Sequence, residues 1–334
     1  MAIHVEEQVV LAPFTTMRIG GDARFFACVK TAEELREAIF FAVAKNIPIF
    51  VLGGGSNTLV SGAGFLGLVI KIEIKGITYG SNRVTAGAGE VWDDVVSDVV
   101  GHNLWGIENL SLIPGTVGGA AVQNIGAYGV EARETIFSVE AFDKNTMQIK
   151  TFLQEECQFG YRESLFKKNK DLIVVSVTFL LSEEGIPCVE YEDVKKYFNE
   201  KKIFAPSLQE IREAIISIRT KKMPVPPIGT AGSFFKNPVV EWEQYEELKT
   251  RFPDIKANFQ GDNAVKLSAA WLIDHVGKWR GFRKGDAGVH ENQALILVNY
   301  GTASGEEMIS LAREIKNDIK NKTGVMLEEE VVML

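Results

Sequence analysis

Apolar residues recur along this chain with spacings that distinguish helices from strands. In TAEELREAIFFAVAKN (31–46), Leu35, Ile39, Ala42 and Val43 share one face of a 3.6-residue period, and Thr31 and Glu34 stand at capping-box spacing, so the segment predicts a helix. IPIFVL after it is a short unbroken apolar run, the mark of a buried strand, and AGFLGLVIKI predicts another. EVWDDVVSDVVGHNL returns to helical spacing through the valines at 91, 95, 96, 99 and 100. SLQEIREAIISIRT opens with Ser207 and Glu210 as a second capping box, and the proline-rich MPVPPIGTAGS then predicts extended chain. ALILVNY predicts a strand, and GEEMISLAREIKNDIKNKTG a helix with Met308, Leu311, Ile315 and Ile319 on one face. The change of character near residue 207 places a domain boundary there, and 334 residues are more than one core usually serves.

Glycine clusters lie between these elements. GGGSNTLVSG (53–62) follows a strand directly, but Thr58 stands where the third glycine of GxGxxG would be, and another strand follows rather than a helix. That argues against a dinucleotide-binding Rossmann loop, and no GK[ST] marks a Walker loop. SLIPGTVGGAAVQNIGAYGVE (111–131) carries Gly115, Gly118, Gly119, Gly126 and Gly129, and TAGAGE (85–90) is a weaker third element. Backbone without side chains can approach a ligand and turn its amides toward it, making anion sites that need no lysine. Two such loops point to a large phosphate-bearing cofactor, although either one alone reads equally well as tight turns in a sheet-rich domain.

Composition narrows the function further. With 46% hydrophobic and 24% charged residues the chain is globular, and a formal net charge of −8 argues against a nucleic-acid or anionic-membrane face. An anionic ligand must therefore find a local positive pocket, for which Arg219, Lys221, Lys222, Lys236, Arg162, Lys167 and Lys168 are candidates. Most lysines in such clusters are solvated surface charge. Cys28, Cys157 and Cys188 are widely separated and odd in number, so they predict buried thiols rather than disulfides or a zinc site. His4, His102, His275 and His290 form no HExxH-type pair, and no metal is expected. No apolar run approaches the ~18 residues of a membrane span, and MAIHVEEQVV lacks a secretory pattern, so a cytoplasmic protein is expected.

TAGSFFKNP (230–238) sets Ser233 between a glycine and two phenylalanines, with Lys236 and Asn237 beyond. By itself such a serine is an ordinary turn residue whose hydroxyl caps an amide.

The strings LGGGSN, ENLSLIPGTVGGAAVQNIGAYGVE, FGYRESLFK, TAGSFFKNP, KLSAAWLID and LEEEV together resemble, in this order, the UDP-N-acetylenolpyruvoylglucosamine reductases, the MurB flavoenzymes. The resemblance runs from APFTTMRIGG at 12–21 through Glu330, and FGYRES with EYEDV resembles the subclass with a tyrosine-bearing substrate lid. It implies an α+β fold: an FAD-binding domain of the vanillyl-alcohol-oxidase (PCMH) type over 1–206, with lobes of about 1–73 and 74–206, and an α+β substrate-binding domain over 207–334. The terminal strand 325–334 would return to the active site. The implied activity is NADPH-driven reduction of UDP-N-acetylglucosamine enolpyruvate to UDP-N-acetylmuramate, in peptidoglycan precursor synthesis, by a cytoplasmic monomer.

The resemblance also implies roles for single residues. Noncovalent FAD would lie against Gly53, Gly54, Gly55, Ser56 and Asn57, and against Pro114, Gly115, Thr116, Gly118, Gly119 and Ala120, with Asn124, Gly126 and Ala127 close by. Arg162 matches the residue that meets the negative charge developing on the substrate carboxylate, a task suited to a guanidinium's paired donors. Ser233 matches the proton donor to the α-carbon, with Gly232 permitting close approach and the phenylalanines shaping and drying the site. Glu330 matches the third catalytic residue, although Glu329 replaces the proline of the common LEPEV and so removes a source of stiffness. Tyr191, Lys222, Asn237 and Gln293 match positions that bind the nucleotide-sugar.

Two other readings compete. An oxidase of the same fold with covalent FAD would tether it through histidine or cysteine, and neither occurs in LGGGSN or PGTVGGAAVQN. A non-catalytic flavin or nucleotide-sugar module would be expected to lose Arg162, Ser233 and Glu330, which are all present.

Overall fold

The structure is a computed structural model describing residues 3–261 and 263–334. The chain forms two compact units, each assembled from separated segments. The first combines the segment ending at Val9 with Ala23–Gly54 and Phe65–Lys221, and the second combines Val10–Asp22, Gly55–Gly64 and Lys222–Leu334.

In the first unit, a four-stranded sheet has the order Glu6–Val10, Asp22–Val29, Phe65–Ile72, Ile49–Leu52. The last three strands are parallel, and the helix Ala32–Lys45 supplies the crossover that parallel pairing demands. Thr31 caps that helix by accepting the Glu34 amide at 3.1 Å, and Leu35, Ala38, Ile39 and Ala42 are buried. Val43, expected on the apolar face, is 69% exposed, because the buried stripe is narrower than the sequence pattern. A five-stranded antiparallel sheet follows, ordered Gln148–Leu153, Ile136–Asp143, Leu172–Leu180, Arg83–Gly87, Ile77–Tyr79. The valine helix forms as Trp92–Gly101 and buries Val95, Val96, Val99 and Val100 in the core shared by both sheets.

The helix Leu208–Lys222 carries the expected reciprocal cap, with Ser207 and Glu210 each accepting the other's backbone amide. Its Ile211, Ile215 and Ile218 pack with Val194 and Phe198 of the helix Glu192–Lys201. This apolar pairing keeps the helix in the first unit, so the division falls at Lys221/Lys222 rather than near residue 207.

The second unit buries Met308, Leu311, Ile315 and Ile319 of the helix Gly305–Thr323, as their spacing predicts. Its four-stranded sheet has the order Gly229–Ser233, Ile296–Asn299, Ala287–Val289, Arg283–Lys284, and a three-stranded sheet has the order Val239–Glu241, Ala264–Leu267, Ala257–Gln260. The chain's final segment adds a parallel pair, Val332–Met333 on Thr58–Leu59. No helix among the described residues is long and apolar enough to cross a membrane.

Candidate active site

In the first unit the glycine clusters meet one another. A Cβ on Gly53 would stand 2.7 Å from Thr116 Oγ1, and one on Gly54 would stand 2.8 Å from the Gly115 Cα, so side chains are excluded by the packing of loop on loop. Thr116 caps the short helix Val117–Gln123, and the amides of Val117 and Gly118 donate to the carbonyls of Glu90 and Ala88. The weak TAGAGE element is thus the floor of the second cluster. Gly119 differs from its neighbours: a Cβ there meets only Thr116 Oγ1, at 3.5 Å, which leaves room along the loop.

Asn124, fully buried, ends this helix in a left-handed conformation. Its side-chain amide donates to Glu131 and to the Gly160 carbonyl, and its oxygen accepts the Arg133 amide. It therefore braces the turn at Gly160 from within the protein. That turn closes through reciprocal bonds between Gly160 and Glu163 and puts Arg162 at φ +56°, a left-handed backbone rare for arginine. Nη2 of Arg162 donates to the Gly126 carbonyl at 2.6 Å, and Lys167 donates to the Arg162 carbonyl at 2.7 Å. Gly126 pairs with Glu131 in the hairpin of Gly126–Ala127 and Val130–Glu131, and a Cβ on it would lie 3.0 Å from the Arg162 guanidinium. Three predicted residues, Arg162, Asn124 and Gly126, are therefore joined. Tyr191 precedes the helix Glu192–Lys201, is 47% exposed, and sets its ring edge-on to Tyr128 at 5.3 Å.

In the second unit Ser233 ends the strand Gly229–Ser233, where a register shift breaks the pairing with Ile296–Asn299. Gly232 has φ +74°, and a Cβ added to it would meet nothing within 4 Å, so this backbone suits glycine through its conformation alone. Ser233 is exposed, whereas Phe234 and Phe235 are fully buried and touch edge to face at 5.2 Å. The sequence led us to expect rings that dry the surface around the serine; they instead anchor its loop in the core. The segment 12–21 supports the same strand: Thr16 donates its hydroxyl to the Thr230 carbonyl at 2.6 Å and its amide to the Gly55 carbonyl. In the sequence this segment figured only as the start of the resemblance, with no role for its residues; its Gly20–Gly21 pair packs against Val60 and Gly62.

The terminal segment docks here. The Glu330 amide donates to the Phe234 carbonyl at 2.9 Å, and the Glu330 carbonyl accepts the Asn57 side-chain amide at 3.1 Å. Val332 and Leu334 donate to the carbonyls of Asn57 and Leu59, and the Ser61 amide donates to the Leu334 carbonyl. Ser233, Glu330 and Asn57 thus belong to one hydrogen-bonded assembly, with Gly55 and Ser56 immediately before Asn57 in the chain. Glu329, in place of the expected proline, receives Lys316 Nζ on both carboxylate oxygens at 2.7 Å, so an ion pair restrains the position that lacks a ring. Asn237 accepts the Ala269 amide at 2.9 Å, and Gln293 closes a turn by accepting the Ile296 amide. Lys222 ends its helix.

The three thiols are poor nucleophiles: burial raises all three, Cys157 to about 12. Among the described residues no cluster of His, Cys, Asp and Glu could hold a metal ion.

Comparison with known proteins gives two matching family models. Residues 23–151 match an FAD binding domain, and residues 224–334 match the C-terminal domain of UDP-N-acetylenolpyruvoylglucosamine reductase. The UDP-N-acetylenolpyruvoylglucosamine reductases of Pseudomonas syringae pv. tomato and Pseudomonas aeruginosa are 42% and 40% identical over 337 residues, covering 99% of each chain. The crystal structure of the Thermus caldophilus reductase (MurB) matches with a TM-score of 0.71 at 27% identity, covering 99% of both chains. BBE-like 1 of Physcomitrella patens matches with a TM-score of 0.52 at 12% identity over 96% of this chain and 87% of that one, which shows a shared fold alone.

Proposed function

The chain belongs to the UDP-N-acetylenolpyruvoylglucosamine reductase family, and from that premise we propose how its own residues carry the family's reaction. It is an FAD-dependent reductase of UDP-N-acetylglucosamine enolpyruvate in peptidoglycan synthesis, built from a vanillyl-alcohol-oxidase-type FAD domain and a C-terminal α+β domain. The glycine surfaces fit the cofactor: Gly119 leaves open the space a side chain would fill, while Gly53 and Gly54 let the two loops lie flush. Neither loop holds a histidine or cysteine that could tether a flavin, in keeping with noncovalent binding. When bound, FAD supplies the hydride for the terminal alkene carbon, having received it from NADPH.

The remaining work falls to side chains. Arg162 is oriented by the Gly126 carbonyl, and we assign its guanidinium to the substrate carboxylate, where negative charge grows as the alkene is reduced. Ser233 donates its hydroxyl proton to the α-carbon and recovers one from water. A serine is a weak acid, so it serves only when held close to a strongly basic centre, and the buried Phe234–Phe235 anchor provides that hold. Glu330 hydrogen-bonds the developing enolate carboxyl. Tyr191, Lys222, Asn237 and Gln293 bind the nucleotide-sugar. With that substrate and NADPH as reductant, we assign the reaction to the cytoplasm and to a monomeric enzyme.

The observation carrying these roles is the pair of bonds that seats Glu330 between Phe234, the neighbour of Ser233, and Asn57 of the first glycine loop. The test is anaerobic. Purified enzyme should be yellow, bleach with NADPH, and regain colour on addition of the enolpyruvyl nucleotide-sugar. Bleaching without recovery on that substrate would reject the assignment, as would flavin that stays with the acid-precipitated chain for the noncovalent reading.

A further inference from the structure

Leu112 stands two residues before Pro114 and has φ +58°, a left-handed backbone unfavourable for a leucine. Its backbone N–H and C=O are both held from outside the loop. The N–H donates to Asp93 Oδ1 at 2.5 Å, and the carbonyl accepts from Arg219 Nε at 3.2 Å. Asp93 is itself gripped by Arg212 through two parallel bonds, Nη1 to Oδ1 at 2.7 Å and Nη2 to Oδ2 at 3.0 Å. Asp93 lies in the first turn of the helix Trp92–Gly101, and Arg212 and Arg219 stand two turns apart on the helix Leu208–Lys222.

Arg212 is 8% exposed, and a buried pair of this kind is weak as a source of stability, because apolar residues would serve as well. What it does supply is a fixed direction. Burial alone would raise the Asp93 carboxyl, but the Arg212 bonds and the Leu112 amide outweigh it and hold the group below its usual range, so it stays charged at neutral pH.

We propose that Asp93, Arg212 and Arg219 are positioning residues that lock Leu112 in its left-handed conformation, so that the loop from Pro114 onward meets FAD already shaped. The proposal rests on the reading of that loop as a flavin contact. Ordering is completed on folding, and FAD binding does not have to supply it.

The experiment titrates flavin-free full-length protein with FAD and follows the quenching of flavin fluorescence. Asp93→Asn should weaken FAD binding about tenfold, the scale of the left-handed penalty for a residue other than glycine. Adding Leu112→Gly to that variant should restore most of the affinity, because glycine adopts a positive φ freely. Wild-type affinity in Asp93→Asn, or a loss that Leu112→Gly does not repair, overturns the proposal. If Asp93→Asn does not fold, Arg212→Lys keeps the charge but loses the paired donors, and the same loss and rescue are expected of it. Gly119→Asp tests the premise separately by placing a carboxylate on the loop where there is room for it. Unchanged FAD affinity there would remove the loop from the flavin site and take the proposal with it, whatever the Asp93 variants show.

Discussion

Replacing Lys316 by methionine leaves the Glu329 carboxylate without the cation that grips both its oxygens. Methionine keeps the length and apolar stem of lysine, so the charge is the main thing removed. Hydrogen bonds to charged groups contribute about 1.5–3 kcal/mol when buried, and exposed pairs about 0.2–1 kcal/mol. Here the two side chains are 24% and 25% exposed, which places the loss between these limits, at about 1–2 kcal/mol. That energy falls on the terminal segment, because Glu329 pairs with Phe235 and the flanking ladder bonds are made by the Glu328 carbonyl and the Glu330 amide. Local opening should therefore become roughly five- to thirtyfold more frequent. Native-state hydrogen exchange of the Glu330 and Val332 amides reads this directly, and their exchange should accelerate by that factor while amides of the first unit keep their rates. Because neither ladder bond uses the amide of residue 329, Glu329→Pro should be tolerated, and in the Lys316→Met background it should slow exchange again by removing the orphaned carboxylate and stiffening the chain. Unchanged exchange at Glu330 and Val332 in Lys316→Met would show that the ion pair does nothing for the segment that carries Glu330.

Ser233→Ala should keep its FAD and its reduction by NADPH yet lose ~10²–10⁴-fold in reoxidation by the enolpyruvyl substrate, as expected for a positioned acid; stopped-flow traces showing both half-reactions slowed alike would return Ser233 to an ordinary turn residue. Lys222→Ala and Tyr191→Phe should chiefly raise KM with flavin reduction intact, and unaltered substrate binding in both would take them out of the site. Asp143 accepts Lys150 Nζ at 2.6 Å together with two backbone amides, which hold its carboxyl at about 2, below the usual carboxylate range. A depressed carboxylate stabilises the fold above its unfolded pKa and loses that contribution as pH falls through the folded one, so the urea-midpoint gap between wild type and Asp143→Asn should shrink from pH 4 toward pH 2. A gap independent of pH would remove the pair from the stability of that hairpin.

What the sequence discloses depends on the range of the interaction concerned. The helix Gly305–Thr323 was legible down to its buried Met308, Leu311, Ile315 and Ile319, because helical period and capping are local properties. Val43 misled because periodicity gives the direction of an apolar face but not its width. The helix Leu208–Lys222 was recognised, but its unit was not, since the partner residues Val194 and Phe198 lie in a segment with little apolar signal. Arg162, Ser233 and Glu330 could be named through resemblance, but nothing in FGYRES announces a left-handed arginine. Asp93 drew no reading from the sequence, where only the valines of its helix stood out, and the fold alone shows that it faces Arg212. The two-residue pairing of Thr58–Leu59 with Val332–Met333 is too short to carry any period.

That last pairing bears on how the molecule is made. The segments Val10–Asp22 and Gly55–Gly64 leave the ribosome early, but the unit they belong to is completed by Lys222–Leu334. Asn57 waits for Glu330 across 273 residues. Closing so long a loop is entropically costly and is rewarded only after it has closed, so the second unit belongs to the slow, high-contact-order class even though its longest helix forms from local signals. Until then Thr58–Leu59 is an unpaired strand edge next to a glycine-rich loop, a point open to wrong pairing with another chain. A chain interrupted before residue 325 would keep its first unit's sheets and its principal helices, but the strand partner of the first glycine loop would never arrive.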